Sequence, residues 1–72
     1  MNEIQLKIQD LEYTVAELKK ELRRIKTTIN KVEKLGLSIP SELLFKKEDV
    51  EIILKELKQE LKLQKKIAQL IK

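Results

Sequence analysis

Two pairs of carboxylates one helical turn apart, Glu17 with Glu21 and Glu56 with Glu60, are the nearest approach to a reactive constellation in this chain. Neighbouring acids can share a proton or a cation, but holding a metal takes a third converging ligand. The chain contains neither histidine nor cysteine, so the two commonest zinc ligands are missing. A nucleophile needs a base beside it, and the hydroxyls on offer are poorly placed for one. Ser38 and Ser41 both lie at the turn, one between the only glycine and the only proline and one just after the proline, and Tyr13 lies on a helical pattern. No glycine-rich phosphate loop is present. The expectation is a protein that is not an enzyme, with no cofactor, no metal and no small-molecule substrate.

Cationic residues form the other chemical feature. Lys19, Lys20, Arg23, Arg24, Lys26 and Lys31 crowd one stretch of a chain whose pI is about 9.4. Such a face can neutralise nucleic-acid phosphates. No aromatic residue is interleaved with it to stack on a base, because Tyr13 and Phe45 are the only two aromatics. Nucleic acid is therefore the second reading, behind a solvated and internally paired helix face.

The elements that must carry these residues are constrained by size. Seventy-two residues make one domain, and a chain this short buries only about 60% of its unfolded surface. Without disulfide or metal, stability must come from idealised helix packing or from association. The longest apolar runs, Leu43–Phe45 and Ile52–Leu54, span three residues, against ~20 for a membrane span. The expected location is cytoplasmic.

Periodicity points to helices. Met1, Ile4, Ile8, Leu11, Val15, Leu18, Leu22, Ile25, Ile29 and Val32 follow one another at alternating spacings of three and four, the a/d seam of a coiled coil. With Ile8 at a, the next a position after Ile29 is Gly36. In the second half Val50, Leu54, Leu57 and Leu61 continue a seam, Gln64 takes a core position, Ala68 shrinks the next and Ile71 restores it. Ile53 reads as widening it. Lys46 and Lys47 interrupt the pattern, so the expected layout is helix 1 over about 3–35, a turn at 36–39, a short turn or helix start at 40–46 with Pro40 in the first helical position, and helix 2 over about 47–71.

Gly36 and Pro40 are the only glycine and proline. Glycine suits the left-handed residue just past a helix end, with Leu37 placed against Val32 as in a Schellman motif, and proline stops the first helix from continuing. The chain therefore reverses, and charge sets the direction. Residues 1–18 carry net −3 and 19–35 net +5, while 36–51 carry −2 and 52–72 carry +4. Antiparallel halves set acid beside base throughout. Layers whose residue numbers add to about 79 pair Ile29 with Val50, Ile25 with Leu54, Leu22 with Leu57 and Leu18 with Leu61. Glu12 then approaches Lys65, Lys26 approaches Glu51, and Lys19 meets Lys58.

The fold expected is thus an all-α antiparallel two-helix hairpin, coiled-coil-like, completed by dimerisation into a helical bundle or by docking on a partner. Its expected role is a small protein–protein interaction module, a homo-oligomer or an accessory subunit of a larger assembly; the alternative is backbone binding of RNA or DNA through residues 19–31. Leu6 and Tyr13, at outward f positions of helix 1, and Leu63, Ile67 and Leu70, at c, g and c of helix 2, fall at the end where the termini meet and form the expected partner-binding patch. Leu35, Leu37, Ile39, Leu44 and Phe45 at the turn end are read as capping the hairpin's own seam.

Overall fold

The structure, a computed structural model, describes residues 2–71 and consists of two helices, α1 (Glu3–Lys34) and α2 (Ser41–Ile71). They pack side by side as an antiparallel hairpin measuring 55 × 16 × 14 Å. α1 starts where Asn2 supplies a cap, its Oδ1 accepting the Gln5 N–H at 2.8 Å. This satisfies one of the amide donors that every helix start leaves free.

α1 ends in a Schellman motif. Gly36 has φ 73°, the Leu37 N–H donates to the Val32 carbonyl at 3.2 Å, and the Gly36 N–H donates to the Glu33 carbonyl at 2.9 Å. Lys31 and Lys34 lie in the last turn, where cations complement the helix dipole. α2 begins directly after Pro40, whose carbonyl accepts from the Leu43 and Leu44 N–H groups at 3.1 and 3.4 Å. Pro40 thus precedes the helix and does not occupy its first position.

α2 is also longer than the periodicity suggested. It runs unbroken from Ser41, so the helix start expected within 40–46 is where α2 begins, and no break separates it from the stretch beginning at 47. The seam continues back through Lys47 to a half-buried Leu43. Lys47 occupies a seam position with its aliphatic stem partly covered and its Nζ turned out to Glu51, 3.8 Å away; a long stem can cover apolar surface while the charge stays wet.

The core is small. Val15, Ile25, Ile29, Val50 and Leu54 are buried, and Leu18, Leu22, Ile39, Leu43 and Leu57 pack on them. None of the described side chains is completely buried. Ile53 is exposed and does not widen the seam, and Ile71 does not restore it, being exposed as well.

Two ion pairs across the helices report the register: Lys7 Nζ lies 3.7 Å from Glu60 Oε1, and Lys46 Nζ lies 3.4 Å from Glu21 Oε1. In both, the residue numbers add to 67. Layers adding to 79 would set Lys46 about twelve residues, ~18 Å, along the axis from Glu21, farther than the two side chains span. The register is therefore shifted by one heptad, with layers adding to about 72, which keeps a facing d. Ile4 and Ala68 accordingly line one groove together. Glu12–Lys65 and Lys26–Glu51 are not among the ion pairs of the described residues, and Glu51 bonds Lys47.

Candidate interaction surface

Three of the four carboxylates in these pairs, Glu17, Glu21 and Glu60, are occupied by cations or an amide of the hairpin itself. Glu17 lies 3.7 Å from Lys20 and Glu21 pairs with Lys46. Glu60 Oε1 is shared by Lys7 and by the Gln64 Nε2–H, which donates to it at 2.9 Å. Gln64 is the one buried polar residue among those described, and it sits at a seam position, so its amide reaches the flank to find a partner. Among the described residues no group of three acidic side chains converges as a metal site. The threonine hydroxyls of Thr14, Thr27 and Thr28 donate to carbonyls one turn back, those of Asp10, Arg23 and Arg24, at 2.9–3.0 Å. No hydroxyl in these contacts has a base beside it.

The six basic residues of 19–31 divide between two flanks. Lys20 and Arg24 face the groove that also receives Glu17, Glu21 and Lys46. Lys19, Arg23 and Lys26 line a different groove, with Lys58 from α2 on its far wall and Leu22 and Leu54 at its floor. Lys31 stands in the last turn of α1. The juxtaposition of Lys19 and Lys58, an apparent mismatch in the seam's flanks, thus becomes part of a groove lined by four cations and no carboxylate.

The five apolar residues expected to form one patch lie at one end of the hairpin but on different faces. Leu6 and Tyr13 are exposed on the back of α1, at f, pointing directly away from α2. Leu63 and Leu70 are exposed at c of α2, and Ile67 is half-buried at g beside them. The α2 residues therefore form one stripe, and Leu6 and Tyr13 are separated from it by the width of the rod.

That stripe extends farther than the sequence reading carried it. Phe45 and Ile52, at f of α2, continue it toward the turn, 64% and 50% exposed. At 100° per residue, Phe45, Ile52, Leu63, Ile67 and Leu70 share an arc about 60° wide, on the side of α2 away from Leu54 and Leu61. The sequence signal for them is the f/c periodicity, which a reading of Leu44 and Phe45 as caps of the seam hides. Leu35, Leu37, Leu44 and Phe45 all stay exposed, and only Ile39 of that group packs on the core. α2 is thus apolar on two opposite faces, and α1 covers one.

Among the described residues no helix is long and apolar enough to cross a membrane. Compared with protein families, with curated proteins and with solved structures, the chain matches none.

Proposed function

We propose that this chain is a non-catalytic helical hairpin that works by protein–protein contact, as a homo-oligomer or as an accessory subunit of a larger assembly. The observation that carries the reading is the second apolar face of α2, left open by a hairpin in which no described side chain is completely buried. Large exposed apolar patches on a soluble chain mark surfaces that a partner covers. The accessible surface agrees: it is 5937 Å², whereas a compact monomer of this mass exposes about 4,700 Å². Affinity purification from the native cell at increasing salt tests the reading. Apolar contacts survive high salt, and a protein recovered only with nucleic acid and lost as salt rises would refute it.

The groove formed by Lys19, Arg23, Lys26 and Lys58 favours a second reading, binding of an RNA or DNA backbone. Its test is the slope of affinity for a generic oligonucleotide against salt, and whether Arg23→Gln with Lys58→Gln lowers that slope.

A further inference from the structure

We infer that the occupant of the outer face of α2 is the same face of a second copy, lying antiparallel, so that two hairpins form a flat layer of four helices in the order α1–α2–α2–α1, with the α2 pair at its centre. This deepens the interaction reading above and rests on it. The argument is self-complementarity, which a two-fold interface requires: if residue i meets j, then j meets i.

Apart from Asp49 and Ile67, which share one edge of the arc and do not match, the outer face of α2 reads the same from both ends. Phe45 and Ile52 are apolar, Glu56 and Gln59 are polar, and Leu63 and Leu70 are apolar. In an antiparallel pair whose facing residue numbers add to 115, Phe45 meets Leu70, Ile52 meets Leu63, and Glu56 meets Gln59 of the second copy. Apolar side chains cover apolar ones, and at the symmetry axis the Gln59 amide can donate to the opposing carboxylate on both sides. Leu70, the most exposed of these at 85%, is covered by Phe45, the only ring on the face.

Charge selects the same arrangement. The first turns of α2 hold Glu42, Glu48, Asp49 and Glu51, and the latter half holds Lys58, Lys62, Lys65 and Lys66. Reversing one copy brings Glu48 beside Lys66 of the other on one flank, twice by symmetry. A parallel pair would stack acid on acid and base on base, a juxtaposition that costs association.

The test uses the full chain and oxidative cross-linking. Residues 45 and 70 lie at opposite ends of one helix, ~37 Å apart at 1.5 Å per residue, so a disulfide between them forms only between chains. The Phe45→Cys, Leu70→Cys double variant should give a covalent dimer under mild oxidation, with neither single variant doing so. A dimer from Phe45→Cys alone means a parallel pair and overturns the proposal. Sedimentation should show a dimer whose association constant falls about threefold to tenfold in Glu48→Lys and in Lys66→Glu and recovers when both changes are combined. A chain that sediments as a monomer up to its solubility limit overturns self-pairing. If that monomer still captures another protein, and Ile52→Lys abolishes the capture, the interaction reading survives; without capture, both fall.

Discussion

Lys46 Nζ stands 3.4 Å from Glu21 Oε1, and this contact between the start of α2 and the middle of α1 marks how far the two helices are offset along one another. The Lys7–Glu60 pair repeats the offset in the half of the rod toward the open end. Each exposed pair contributes only about 0.2–1 kcal/mol, so they report the register while the leucine and isoleucine seam holds it.

The register predicts which cysteines meet. Ile4→Cys with Ala68→Cys should close an intrachain disulfide readily, because the two residues line one groove. Leu11→Cys with Ala68→Cys, the pair favoured by the unshifted register, should close more slowly. Non-reducing gels at matched oxidation times compare them.

Gly36 should tolerate alanine poorly for a purely conformational reason. Nothing lies within 4 Å of an added Cβ, yet φ is 73°. Gly36→Ala should cost ~1–2 kcal/mol, lowering the melting temperature by several degrees, and Gly36→Asn should cost less. Equal melting of all three would contradict the left-handed cap.

Burial separates two isoleucines of one chain. Ile25→Ala, at a site 5% exposed, should cost ~2–5 kcal/mol and leave little folded protein. Ile53→Ala, at a site 44% exposed, should change the monomer's stability by less than ~0.5 kcal/mol. Urea titration followed by circular dichroism reads both.

Gln64 invites the opposite experiment. Among the described residues its amide bonds Glu60 alone, and a buried polar residue in a seam trades stability for alignment. Gln64→Leu should raise the melting temperature while allowing the Ile4→Cys, Ala68→Cys disulfide to compete with neighbouring pairings. A lower melting temperature would mean that the Gln64–Glu60–Lys7 chain stabilises the open end.

Assembly should follow α2. The melting temperature should rise with protein concentration, and Ile52→Lys should remove that dependence, whereas Tyr13→Lys on the back of α1 should leave it intact. Persistence of the dependence in Ile52→Lys and its loss in Tyr13→Lys would move the interface to α1.

Legibility in the sequence varied with how local each determinant is. The α1 seam and the Gly36 reversal rest on residues within one or two turns of each other, and both appear in the structure. Antiparallel orientation followed from charge blocks more than a dozen residues long, but such blocks are equally satisfied by neighbouring registers, so the heptad shift needed the individual pairs Lys7–Glu60 and Glu21–Lys46. The start of α2 was obscured because Lys46 and Lys47 look polar in a one-letter pattern, while their stems behave as part of a helix whose neighbours supply Glu21 and Glu51. For the surface, Leu63, Ile67 and Leu70 were legible as a stripe. Their continuation through Ile52 and Phe45 was not, since it appears only once α2 is known to be one unbroken helix.

The uneven core has a kinetic meaning. Ile25, Ile29, Val50 and Leu54 lie in the half of the rod nearest Gly36, whereas the far half buries Val15 and the polar Gln64 and narrows to a half-buried Ala68. Contacts near the turn link residues close in sequence, so they carry the smallest loop-closure entropy and form first. Folding then proceeds as a zipper from the glycine outward, and amide hydrogens should exchange fastest near Ile4 and Ala68 and slowest around Ile29 and Val50. In an antiparallel pair of hairpins, each fraying tip lies against the nucleating end of its neighbour, which would make opening of the two chains a single cooperative event.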